Sequence, residues 1–255
     1  MAYRLTYAPC FKGRTFDFDE VWQWPEEELI TRSTTSDVCV IRWNESGANG
    51  ESTAFYRKRY WYPGWKSKFR GFFRNTFFRA SRARAEYRNL SWLNGIGLSR
   101  LLPVCCGEDR RFRFLERAFI VTQSIPDTCT LSDYVNSKDF TGLSLEGRRI
   151  ALAALARWCA RLHNRGYKDR DFFARNILVH TTEMGLCFSK IDSPKATWGA
   201  DLPGLSSPYI QDLKDLDGDL RNGLSRADRL RAFLAYLGAG RVDGSVRKWI
   251  ERILL

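Results

Sequence analysis

The stretch from Leu145 to Val179 constrains the fold more than any other part of the chain. Residues 145 to 163, LEGRRIALAALARWCARLH, put Ile150, Leu152, Leu155, Trp158 and Leu162 on one broad side, the period of an amphipathic helix. Gly166 ends that helix, since glycine enters left-handed backbone without steric cost. A polar loop, YKDRDFFARN, then holds Asp171 and Asn176, and the apolar run Ile177 to Val179 reads as a buried strand. After the turn TTEMG, a second strand, LCFSKID, returns and brings Asp192 back beside the loop. Two carboxylates and an amide therefore converge.

Upstream the period changes from helical to alternating. ELITR and VCVIRW are β-branched runs separated by the turn TRSTTSD, and a second turn, NESGANGES, leads to a third strand, TAFYRKRYW. Residues 1 to 27 read as irregular structure or a short strand packed on this sheet. On the third strand Lys58 shares a face with Tyr56 and Tyr60, while Arg57 and Arg59 point the other way. The next segment, SRARAEYRNLSWL, is a helix that sets Glu86 beside its apolar stripe. Two further strands follow around the turn GEDRR. The second, AFIVTQ, ends at Ser124-Ile125-Pro126, and TLSDYV opens a helix with Thr130 as its cap. Sheet first and helices after is an α+β arrangement, with residues 1–122 as a β-rich domain and 123–255 as a helical one.

A strand lysine paired with a helix acid, followed by Asp-x4-Asn and a further Asp, suits phosphoryl transfer. That reaction needs triphosphate charge neutralised and an attacking hydroxyl aimed in line. Asp171 would accept the hydroxyl proton, a contribution of about 10² to 10⁴-fold for a positioned base. Asn176 and Asp192 offer one neutral and one charged oxygen to magnesium, and Lys58 held by Glu86 meets phosphate. Taken singly, each residue has a plainer reading: Asp171 as a loop brace, Asn176 as a turn former, Asp192-Ser193-Pro194 as a strand-ending turn, Lys58 on a solvated edge. Order and spacing together favour a protein-kinase-like, two-lobed arrangement, with an antiparallel-sheet lobe binding ATP and a mainly helical catalytic lobe. The segment after Gln123 is then the hinge.

Composition narrows the partners. The 255 residues carry a net charge of +12, which calls for an anionic partner. Much of that charge falls in residues 57–88, where Arg57, Arg59, Lys66, Lys68 and Arg70 alternate with aromatics such as Trp61, Trp65 and Phe69. Such a mixture suits nucleic acid or an anionic bilayer surface, or packs as a linker helix with a solvated basic face. Seven scattered cysteines argue against a disulfide framework or a zinc site, and two histidines leave little scope for His chemistry. No window approaches the roughly 20 apolar residues of a membrane span, and the N-terminus lacks a secretory signal's apolar core. A cytoplasmic location is the expectation.

The block YKDRDFFARNILV, the later KIDSPKA, the strand FYRKRYW and the run LKDLDGDLRNGLSRADRLRAFLAYL together resemble the lipopolysaccharide core kinases, the Kdo and heptose kinases of protein-kinase-like fold. The resemblance covers roughly residues 28 to 240 and implies Asp171 as catalytic aspartate, Asn176 and Asp192 as magnesium ligands, and Lys58 with Glu86 as the ATP-phosphate pair. It also implies that Asp212 braces the catalytic loop. The implied acceptor is a sugar hydroxyl of an anionic glycolipid, which favours peripheral contact of segment 57–88 with the inner membrane over nucleic acid. A non-catalytic kinase-like module is the alternative. Three positions depart from the protein-kinase pattern. Asp169 replaces the usual histidine and could disfavour ionisation of Asp171 if both face the cleft; Phe173 stands where many protein kinases carry a phosphate-contacting lysine; Ser193-Pro194 follows the metal aspartate. In this fold the turn between the first two strands covers the phosphates, which makes TRSTTSD, rather than SGANG, the candidate for that role.

Overall fold

In a computed structural model the described residues are 2–7, 17–43, 53–62, 80–183, 185–199 and 207–253. SGANG and most of the basic aromatic segment, residues 63–79, lie outside them. The chain divides into two compact units, Met1–Gly95 with Leu101–Ile125, and Ile96–Arg100 with Pro126–Leu255.

The first unit is a six-stranded antiparallel sheet. In chain order it comprises β1 (Ala2–Tyr7), α1 (Phe18–Gln23), β2 (Glu28–Arg32), β3 (Ser36–Trp43), β4 (Thr53–Trp61), α2 (Arg82–Gly95), β5 (Pro103–Arg111) and β6 (Phe114–Gln123). The strand order is β1-β5-β6-β4-β3-β2. Residues 1 to 27, read as irregular structure or a short strand packed on the sheet, supply an edge strand as that second reading has it and, beyond it, a helix. Asp17 and Glu20 close a capping box at the start of α1, which buries Phe18 and Val21 against Phe119, Cys105 and Ile41. Arg57 is fully buried on the same sheet face as Phe55. Its guanidinium donates to Val21 O and Trp24 O at 2.9 Å, satisfying carbonyls at the C-terminal end of α1, and to Glu26 at 3.0 Å. Arg59 pairs with Asp37 and Glu26. These two arginines, counted above among cations for an anionic surface, are consumed inside the sheet unit because strand alternation turns them inward.

GEDRR is not a turn. It lies within β5, and the hairpin reverses at Phe112-Arg113, both in left-handed backbone (φ 49° and 69°). Gly107 serves close packing instead: a Cβ there would stand 2.5 Å from the Phe119 ring and 2.9 Å from Phe18.

The second unit contains β7 (Cys129–Thr130), α3 (Leu131–Asn136), α4 (Lys138–Thr141), α5 (Leu145–His163), a 3-10 turn (Ala174–Asn176), β8 (Ile177–Thr182), β9 (Gly185–Lys190), α6 (Ser207–Leu220), α7 (Arg226–Leu237) and α8 (Gly244–Ile253). Thr130 caps α3 as the sequence suggests, accepting from Asp133 N. The sheet order is β7-β8-β9. On α5, Leu152, Leu155, Trp158 and Leu162 are buried, but Ile150 is 60% exposed, so the apolar side is narrower than its composition implied. Trp158 packs on Phe172 and Phe188, and its indole N–H donates to Leu98 O at 2.8 Å. With Arg100 N donating to Ser189 Oγ at 2.9 Å, this explains why residues 96–100 pack with the helical unit. No helix among the described residues is long and apolar enough to cross a membrane.

Candidate active site

In the sheet unit, β4 presents Lys58 opposite the buried Arg57. Lys58 Nζ lies 3.5 Å from Glu86 Oε2 on α2, and Tyr60 OH donates to the same oxygen at 3.3 Å. Glu86 is buried while Lys58 is partly exposed. The strand places the lysine, the helix places the acid, and Tyr60, two positions along the same strand face, holds the acid in register. The β2–β3 turn is tight: Ser33 Oγ accepts from Ser36 N at 3.1 Å and from Thr35 N at 3.3 Å. Its hydroxyls serve to close the hairpin.

In the helical unit, Gly166 (φ 76°) leaves α5 at a point where a Cβ would overlap Gly199 O, so both conformation and space demand glycine. The loop that follows is fixed from beneath by carboxylates. Asp171 N donates to Asp169 Oδ1 at 3.0 Å, Asp169 N to Asp212 Oδ2 at 2.9 Å, and Ala174 N to Asp219 Oδ2 at 3.0 Å. Asp212 and Asp219 lie two turns apart on α6, hence on one face. The brace by Asp212 was implied by resemblance; that by Asp219 was missed, although its spacing from Asp212 was the available signal. Asn176 Nδ2 donates to Asp171 O at 3.1 Å, and Ile191 N donates to Asn176 O at 2.9 Å. Asp171 and Asn176 are thus joined directly, and Asp192 follows the residue bonded to Asn176. Asp192 has left-handed backbone (φ 52°), uncommon for a non-glycine residue and a sign of local constraint.

The condition for like-charge repulsion, that Asp169 and Asp171 both face the cleft, is not met. Asp169 points into the protein, where its Oδ2 lies 3.1 Å from Lys190 Nζ and accepts from Tyr167 OH at 3.2 Å. Both charged side chains are fully buried. Tyr167 OH also reaches Ser193 Oγ at 3.1 Å, and Lys190 Nζ donates to Ile191 O at 2.8 Å. One buried polar cluster therefore ties the backbone before Asp171 to the backbone on both sides of Asp192. Burial pushes the Tyr167 phenol well above its ordinary range, so it stays protonated and can donate. Behind the cluster, His163 Nε2 lies 3.6 Å from Asp212 Oδ2, and His163 Nδ1 shares a 2.8 Å hydrogen bond with Tyr236 OH. Burial raises the Asp212 carboxyl above the usual range, partly offset by the neighbouring His163 imidazole and by the hydrogen bond from Asp169 N.

The C-terminal run that carried the resemblance is architectural. Ser225 accepts from Asp228 N at 3.1 Å and caps α7, and Arg229 holds Asp217 on α6 through Nε at 2.6 Å and through Nη2. Among the described residues no group of three or more His, Cys, Asp or Glu is placed to hold a metal. The oxygen donors that could serve a metal are those of Asp192 and of the Asn176 amide, whose nitrogen is committed to Asp171 O. One carboxylate and one amide oxygen fit magnesium, which takes few protein ligands and completes its shell with phosphates and water.

Comparison with known proteins agrees with this architecture. Residues 21–203 match the Lipopolysaccharide kinase (Kdo/WaaP) family. The chain is 24% identical over 164 residues to the lipopolysaccharide core heptose(I) kinase WaaP of Escherichia coli strain K12, covering 61% of this chain. It spans about 60% of that relative's length. A solved structure titled WaaP in complex with acyl carrier protein superposes with a TM-score of 0.67 at 21% identity, covering 98% of this chain and 97% of that one. The likeness establishes a protein-kinase-like α+β fold. A family match across residues 21–203, on this fold, means that the chain belongs to the lipopolysaccharide kinase (Kdo/WaaP) family.

Proposed function

We propose that the protein is an ATP- and magnesium-dependent phosphotransferase that moves the γ-phosphoryl group to a hydroxyl of Kdo or heptose in a lipopolysaccharide-type glycolipid core. The observation that carries this reading is the placement of Asp171 and Asn176: a loop braced by Asp169, Asp212 and Asp219 presents a partly exposed carboxylate beside an amide. Asp171 accepts the proton of the attacking hydroxyl. Asn176 and Asp192 hold magnesium, which when bound supplies positive charge to the phosphates. Lys58, oriented by Glu86, binds phosphate oxygens of ATP.

Transfer of radiolabel from ATP tests this, with whole glycolipid, delipidated core sugar, protein and aminoglycoside offered as acceptors. Label on the core sugar supports the reading. Asp171→Ala should abolish transfer while circular dichroism shows the fold retained, since this side chain is not in the core. Unchanged turnover in that variant would sink the assignment. ATP binding without transfer to any acceptor would favour the non-catalytic module. We further propose a cytoplasmic location, peripheral to the inner membrane, where ATP and a nascent glycolipid meet; salt-extractable recovery with the membrane fraction is the expected result.

A further inference from the structure

The catalytic loop sends no cation of its own to Asp171 among the contacts described. Arg175 lies over the Phe173 ring at 4.1 Å and pairs with Asp219 at 3.6 Å. The cation at Asp171 comes instead from the segment after Asp192. Lys195 Nζ lies 2.9 Å from Asp171 Oδ2 and 3.1 Å from Oδ1.

The backbone that carries Lys195 is fixed on both sides. Ser193 is buried and bonded to Tyr167 OH, Ala196 N donates to Ser193 O at 3.3 Å, and Lys168 and Thr197 exchange both backbone hydrogen bonds at 2.9 Å. The side chain itself is 52% exposed. An exposed ion pair of this kind adds little stability, about 0 to 1 kcal/mol. A fixed backbone carrying a half-exposed cation, aimed at the group assigned to proton abstraction, points to chemistry rather than to fold maintenance. An ammonium has three donors, so it can keep one on a carboxylate and turn another to a phosphoryl oxygen.

Resting on the kinase reading above, we propose that Lys195 is a catalytic residue that contacts the transferring γ-phosphoryl group and takes the place that Phe173 leaves without a cation. In the transfer, the acceptor oxygen forms a bond to the γ-phosphorus as the bond from that phosphorus to the β,γ-bridging oxygen breaks. The bridging oxygen leaves with the electron pair on ADP, and the hydroxyl proton passes to Asp171. Lys195 keeps its proton throughout and stabilises charge on the phosphoryl oxygens.

The test compares wild type, Lys195→Ala and Lys195→Arg, with Mg-ATP and Mg-ADP binding by calorimetry and turnover on the core sugar. Lys195→Ala should lower kcat by about 10² to 10³, the cost typical of losing one such donor, with the KM for sugar unchanged. It should weaken ATP but not ADP, because only ATP carries the γ-phosphoryl group. Lys195→Arg should recover part of the rate. Equal ATP and ADP affinities relative to wild type, with kcat within about threefold, would overturn the proposal and leave Lys195 a surface ion pair. Wild type that fails to bind Mg-ATP would remove the kinase reading and this proposal together, whereas Asp171→Ala inactive with Lys195→Ala fully active removes only the proposal.

Discussion

Lys190 is fully buried with its ammonium against Asp169, the residue two positions before the proposed base. Removing one partner of such a pair leaves an uncompensated charge in low dielectric. Lys190→Met should cost about 3 to 5 kcal/mol in urea unfolding, and the double change with Asp169→Leu should recover much of it. Turnover should remain low in the double variant, since Asp171 N has lost its acceptor. His180 sets a pH limit. It is buried on β8 with neither ring nitrogen hydrogen-bonded, and burial, with the charge of Arg100 adding to it, holds its pKa below the ordinary histidine range. The unfolded chain therefore takes up the proton first as pH falls. Stability from the neutral ring is full above about pH 6.5 and declines below it, until the depressed folded pKa is passed. His180→Leu should flatten that decline in thermal unfolding followed across pH. None of this was legible in the residue types: a lysine inside a strand run and an aspartate in a polar loop look solvated until the fold buries them together.

Elements were more legible than their ends. The alternation of FYRKRYW and the helical period of residues 145–163 recovered β4 and α5, because both depend on local side-chain direction. The β5–β6 reversal was misread because Gly107, a turn residue by composition, is needed for ring contact with Phe119, while Phe112 and Arg113 make the turn without the usual Asn-Gly. Those two residues bear left-handed backbone that favours Asn and Gly. Phe112→Asn with Arg113→Gly should therefore stabilise the hairpin, by about 1 kcal/mol in chemical denaturation. A loss of stability would mean that the exposed Phe112 ring has packing value of its own. At the other end of the chain, α6 and α7 explain why the C-terminal run is so characteristic. Asp212 and Asp219 brace the loop, Asp217 holds Arg229, and Tyr236 reaches His163.

At the scale of the molecule, the charge of +12 acts through what remains at the surface after internal pairing. Arg57 and Arg59 are spent on α1, Glu26 and Asp37, so the proposed contact with an anionic surface falls to the cations of segment 63–79, which lie outside the described residues, and to exposed cations elsewhere. Binding to vesicles containing anionic lipid should weaken steeply with salt, as screening shortens from about 10 Å at 0.1 M to about 3 Å at 1 M. Binding that persists unchanged at high salt would indicate apolar insertion instead. The linear order of Lys58, Glu86, Asp171, Asn176 and Asp192 could be read from the chain because hydrophobic period and turn residues fix which element each stands on. Which carboxylate faces solvent and which is neutralised could not. The Asp-x4-Asn spacing singles out Asp171 in the sequence, but only tertiary packing, which buries Lys190 against Asp169 and brings Lys195 to Asp171, makes the first a buried brace and leaves the second partly exposed as the proposed base.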